Sequence, residues 1–144
     1  MTSSEAGDAT LTNDADDSED VVEVRVPARV LFVSTLRRTA ASLAASCDLT
    51  VDDIEDLSLA VDEACALLLP HSDAAAGLEC QFRLGSGSIA VSTSVRPADA
   101  DGAQPDRGGF AWTVLDALAS SVDVAQADGR LAITVTKRSE AAPQ

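Results

Sequence analysis

Tyrosine is absent from the 144 residues, and a single Trp with three Phe bring the aromatics to only 3%. With so few rings there is no stacking platform for bases, and the core has to be assembled from Ala, Val and Leu. Bases are scarce too: ten Lys and Arg stand against 24 Asp and Glu, a formal net charge of −14. Phosphate backbones demand a cationic stripe, so direct nucleic-acid binding is excluded and any large partner is expected to be a protein. No apolar run is long enough to cross a bilayer, which excludes a membrane partner. The first twenty residues hold no base and no apolar leader stretch, and this sets the expectation of a cytoplasmic protein. Cysteine is limited to Cys47, Cys65 and Cys80. An odd number without a CxxC pair argues against a zinc site or a disulfide frame, leaving three small buried hydrophobes and no metal site.

What is present is a hydrophobic content of 46% with 24% charged residues, enough for one core and one compact domain. Residues 1–20 carry Glu5, Asp8, Asp14, Asp16, Asp17, Glu19 and Asp20 without a compensating base. They cannot bury enough apolar area to offset the entropy of ordering, so they read as a disordered acidic tail. Order begins with a strand over 21–26, where Val22, Val24 and Val26 alternate with Glu23 and Arg25, and Pro27 ends it. Phe32, Leu36, Ala40 and Leu43 trace a helical stripe over 28–47, with Arg37 and Arg38 elsewhere on its surface. Thr50 caps a second helix, Asp52 and Asp53 suit its first turn, and Ile54, Leu57, Val61, Ala64 and Leu68 form its buried face until Pro70.

Strand-like runs over 78–84 and 88–95 flank Gly85-Ser86-Gly87 as a hairpin, and 96–109 reads as a long loop, either a lid or disordered. A third helix over 110–120 precedes strands over 122–126 and 131–137, leaving 138–144 as a loose tail. This order predicts an α+β two-layer sandwich over 21–137: a mainly antiparallel, mixed β-sheet with helices on one face.

Three positions in this frame invite chemistry. Glu63 has Leu59 and Leu67 one turn away on either side, so it is either a boundary residue reaching water or a carboxylate held on an apolar stripe for a purpose. Gly108-Gly109 before a helix offers amides to a phosphate, or is a plain turn. His71 follows Pro70 and suits carbonyl capping or the surface; with no partnered Ser or Cys nucleophile it makes no hydrolytic triad. Trp112 reads as core, and the remaining acids of the second helix as ordinary surface.

The run Leu59-Ala60-Val61-Asp62-Glu63-Ala64-Cys65 with His71 resembles the N-box, L-A-V-x-E-A-C-x-N-A-x-x-H, of the anti-sigma factor and serine kinase family. Gly109-Phe110-Ala111-Trp112-Thr113-Val114-Leu115 resembles that family's glycine box, with Ala111 in place of one glycine and Ser120 in place of the closing Asp. Leu67 stands where the family has its Mg²⁺-holding Asn, and Thr93, Ser94 and Val95 lie where its D-x-G acid belongs, with Asp99 or Asp101-Gly102 as a displaced version.

The resemblance implies the histidine-kinase-like ATPase fold and an anti-sigma factor in stress-response transcription, sequestering an alternative sigma factor until an anti-anti-sigma antagonist releases it. It assigns Glu63 to catalysis and nucleotide contact, Gly108, Gly109 and Thr113 to nucleotide contact, and Arg37 and Arg38 to the partner surface. It implies that ATP and Mg²⁺ binding is weak or lost, and it favours a homodimer. The alternative it implies is an active ATP-dependent serine/threonine kinase acting on the antagonist.

Overall fold

A computed structural model describes residues 20–99 and 107–139. Residues 1–19 of the acidic tail expected over 1–20, the Asp101-Gly102 pair and residues 140–144 lie outside these, while Asp20 is not tail but opens the first strand, where it pairs with Leu84. Strand β1 (Asp20–Pro27) turns Val22, Val24 and Val26 inward as the alternation predicts. The predicted first helix is α1 (Val33–Ala44), with a 3-10 turn at each end, over Val30–Phe32 and Ala45–Cys47. Helix α2 (Val51–Leu68) starts on Thr50, whose hydroxyl accepts from the Asp53 amide while the Asp53 carboxylate accepts from the Thr50 amide. This reciprocal capping box satisfies two amides that a helix start otherwise leaves open. Thr50→Ala should therefore cost about 1 kcal/mol and lower the midpoint of a thermal melt by a few degrees.

Strands β2 (Gly77–Gly85) and β3 (Ser88–Val95) form the predicted hairpin, and helix α3 (Phe110–Leu118) leads into β4 (Ser121–Ala127) and β5 (Arg130–Arg138). The β4–β5 turn places Asp128 and Gly129 both at positive φ, 55° and 74°, matching the twist of the flanking strands. The sheet order is β1-β2-β3-β5-β4. All four ladders among the described residues are antiparallel, so the parallel part of the expected mixed sheet is missing. The connection through α3 lays β4 in the same sense as β3, and β5 fills the place between them. The ordered domain also reaches past the expected end at residue 137. Arg138 belongs to β5, and Ser139 is buried with its amide donating to the Gly87 carbonyl at 2.8 Å.

The helices cover one sheet face, with α2 packed against α1, α3 and β5. Phe82, Leu36, Leu57, Leu68, Leu78, Ile89, Leu115, Leu131 and Ile133 are fully buried between the layers. Trp112 joins them, as do all three cysteines. Burial pushes the Cys65 thiol up to about 12 and the Cys80 thiol to about 11. Lys137, only 7% exposed, donates from Nζ to the Leu118 carbonyl at 2.8 Å and to Asp56 at 3.2 Å. Its charge thus closes the carbonyl end of α3, where the helix dipole favours a cation, and ties α2 and α3 to β5.

Candidate functional site

Glu63 and Leu67 lie one turn apart on α2, each half-buried. The Glu63 carboxylate has no hydrogen-bond or ion-pair partner among the described residues. Leu67 packs its side chain against the core. The stretch in which the family carries an acid splits between the two faces of the sheet. Thr93 is 1% exposed within the sandwich, its hydroxyl 3.5 Å from the Cys80 sulfur. Ser94 points the other way, its hydroxyl accepting from Arg130 Nε at 2.9 Å. The period of two along β3 dictates this division.

The end of α2 is stitched to the chain leaving β3. The Ala98 amide donates to the His71 carbonyl at 2.8 Å, the Asp73 amide to the Arg96 carbonyl at 2.8 Å, and Ser72 bridges Pro97. His71 thus serves this junction through its backbone, and Asp99 is exposed just beyond it. Across the long connection, Gly109 is the N-cap of α3 in extended conformation with no side-chain cap, and Gly108 and Thr113 are exposed. The opening amides of α3 therefore suit an anion. Ala111 is half-buried, and the Arg107 guanidinium lies over the Trp112 ring at 4.6 Å. Gly108, Gly109 and Thr113 share one helix start, and Glu63 belongs to the neighbouring helix.

Mg²⁺ demands oxygen ligands in octahedral array, and at the decisive position Leu67 offers a hydrocarbon engaged with the core. Thr93 is sequestered, and Ser94 faces away from the helices. Among the described residues, the expected constellation retains the Glu63 carboxylate and the start of α3, which has no side-chain cap.

The two arginines part company. Arg37 Nη1 donates to Asp62 Oδ2 at 3.1 Å, joining α1 to α2. Asp62 is therefore not the ordinary surface acid expected, nor is Asp53 in the capping box, nor Asp56 on Lys137. Arg38 is exposed and borders a depression of about 420 Å³ with Thr35, Thr39, Ser42 and Leu43. Leu31, 65% exposed, lies one turn ahead of the same stripe. Of these neighbours the sequence marks only Leu43, as part of the apolar stripe; Thr35, Thr39 and Ser42 are not singled out, although their spacing of three and four from Arg38 along α1 carries the signal.

The chain belongs to the family of the histidine kinase-like ATPase domain, whose profile matches residues 26–137. Within that family it is similar to the serine-protein kinase RsbW of Bacillus velezensis, at 40% identity over 55 residues, covering 38% of this chain and 34% of that relative. It is likewise 40% identical to RsbW of Bacillus subtilis over 53 residues, 37% of this chain and 33% of the relative. The matched stretch thus spans about a third of the length of these relatives. Among solved structures, the RsbU and RsbW domains of Rv1364c from Mycobacterium tuberculosis superpose with a TM-score of 0.63 at 19% identity. That match covers 83% of this chain and 32% of the other and establishes the shared fold. No described helix is long and apolar enough to cross a membrane.

Proposed function

We propose that this protein is a cytoplasmic anti-sigma factor that holds an alternative sigma factor through the outer face of α1, yields it to an anti-anti-sigma antagonist, and has a degenerate ATP site. The observation that carries the reading is Leu67. An otherwise intact family fold keeps an apolar, core-packed side chain where nucleotide chemistry needs a metal ligand, which leaves protein binding as the retained activity. The depression beside Arg38 supports a contact surface there: an exposed cation among hydroxyls and Leu43, with the exposed Val30 and Leu31 in the turn that precedes α1.

The reading is tested by titration calorimetry against the sigma factor recovered by pull-down from the native cytoplasm. Arg38→Glu should raise Kd about tenfold, roughly 1.4 kcal/mol, with an unchanged melt, because a reversed exposed charge matters mainly to a complementary surface. Arg37→Glu should instead lower the melting midpoint, since it sets two carboxylates against each other between α1 and α2. Equal affinity of the Arg38 variant and the natural protein would move the interface elsewhere on the domain.

The second reading, an active serine/threonine kinase acting on the antagonist, is favoured by Glu63, whose half-buried carboxylate has no partner among the described residues and would, in that reading, orient an attacking hydroxyl. The start of α3, with no side-chain cap on Gly109, could take an anion. The homodimer implied by the family resemblance belongs to the proposal and is checked by analytical ultracentrifugation of the full chain.

A further inference from the structure

Strand β1 stands at one end of the sheet order, with β2 as its neighbour on one side. Every second residue from Val21 to Val26 turns its amide and carbonyl away from β2, and these groups have no hydrogen-bond partner among the described residues. Val22 and Val24 are only half-buried, whereas Val91, Val95 and Val135 on the inner strands are covered from both sides. The order of side chains along this edge has a symmetry of its own. Glu23 and Arg25 flank Val24, and Val22 and Val26 flank that trio. An antiparallel copy centred on Val24 therefore sets each Glu23 against an Arg25, each Val22 against a Val26, and Val24 against itself. The period of two keeps the pairs apart, with Glu23 and Arg25 exposed on the open face and the three valines turned toward the helices.

We propose that two copies of this chain join edge to edge through β1, antiparallel and centred on Val24, so that their sheets run on as one. The proposal rests on the homodimer reading above and gives it a surface and a register. Charge selects this edge, because a chain of net charge −14 repels its own copies over most of its surface, while Glu23 and Arg25 cancel in the middle of β1. The opposite edge lacks the symmetry. In β4 a copy centred on Asp123 sets that acid against itself, and one centred on Val124 sets it against Ala125. Arg25 already holds Glu79, and its guanidinium has donors left for Glu23 of the second copy. Pro27 closes the ladder opposite Val21 of the second copy, since it has no amide with which to extend the pairing. A single ladder is small beside the roughly 1,000 Å² of a lasting interface, so the dimer comes apart on dilution.

The test reads mass and register on the full chain. In analytical ultracentrifugation the natural protein should pass from one chain to two as its concentration rises. Glu23→Arg and Arg25→Glu should each raise the dimer Kd about tenfold, because like charges then face each other twice. Mixed one to one, these two variants should pair with each other, and the double variant Glu23→Arg/Arg25→Glu should regain the natural affinity. Both side chains are exposed, so the melts should hold. Register is read without any change of charge. Under mild oxidation Val24→Cys should give a covalent dimer, since opposite Cα atoms lie about 4.5–5.5 Å apart, within disulfide range. Val22→Cys, displaced from its own copy by about 13 Å along the ladder, should not. The three native thiols are buried and stay out of the reaction. A single chain at every concentration overturns the homodimer and this surface together. A dimer that ignores the charge swaps, fails to cross-link through the Val24→Cys variant or grows beyond two chains keeps self-association but overturns pairing through β1.

Discussion

Incubated with labelled ATP, Mg²⁺ and its antagonist, the purified protein should transfer no phosphate above background. Phosphoryl transfer rests on positioning and charge neutralisation, and three of the groups that would provide them are replaced or turned away. Leu67 binds no metal, Ala111 adds a Cβ where the family keeps the backbone bare, and Thr93 sits inside the sandwich at 1% exposure. Each loss is worth about 1–3 kcal/mol where it leaves a polar group unpaired, so together they suppress turnover on the order of a thousandfold or more. Sigma binding should then be indifferent to ATP and ADP. Stoichiometric serine phosphorylation that disappears with Glu63→Ala would replace the anti-sigma reading with the kinase one.

Stability should collapse in strong alkali, and for an identifiable reason. In the unfolded chain Cys65 and Cys80 titrate near the ordinary 9.0, whereas folding pushes them to about 12 and about 11. Because the folded values are raised, the stabilisation is whole below pH 9 and drains away as the pH climbs through 11 and 12, as thiolate forms more readily in the unfolded state. The rise for Cys65 alone corresponds to about 4 kcal/mol, a large part of a typical domain's stability. Urea melts followed by the single Trp112 at rising pH should show the midpoint falling, and Cys65→Ala should flatten the fall. A slope unchanged by that substitution would place the alkaline loss on other groups.

How far such features can be read from the chain depends on how local they are. Helix α2 was legible because Thr50 and Pro70 bracket an apolar stripe of the right period, and both hairpins because Gly87 and Asp128-Gly129 mark their turns. The motif positions, Glu63, Leu67 and the start of α3, came from the family resemblance, and the local pattern only set them on helices. The exceptions depend on partners distant in sequence. Nothing near Lys137 announces that its ammonium will reach Leu118 and Asp56, and nothing near Asp62 announces Arg37. Arg37 and Arg38 are adjacent letters, and only the packing of α1 on α2 decides which is spent on a bridge and which faces water. The facing of Thr93 and Ser94 likewise waits on the register of β3 against β2 and β5.

The five strands also differ in how far the chain must travel to pair them. The β2–β3 and β4–β5 ladders close across tight turns, whereas β1 meets β2 only after the chain has made both α1 and α2, with Pro27 opposite Gly77. Closing a longer loop costs more chain entropy and is repaid only when the non-local contacts form. Folding should therefore condense around the two hairpins and the helix α3 between them, with β1 zipping on late at the sheet edge. In native-state hydrogen exchange the amides that join β1 to β2 should open at lower free energy than those between β3 and β5, so the strand next to the acidic segment is also the first to detach.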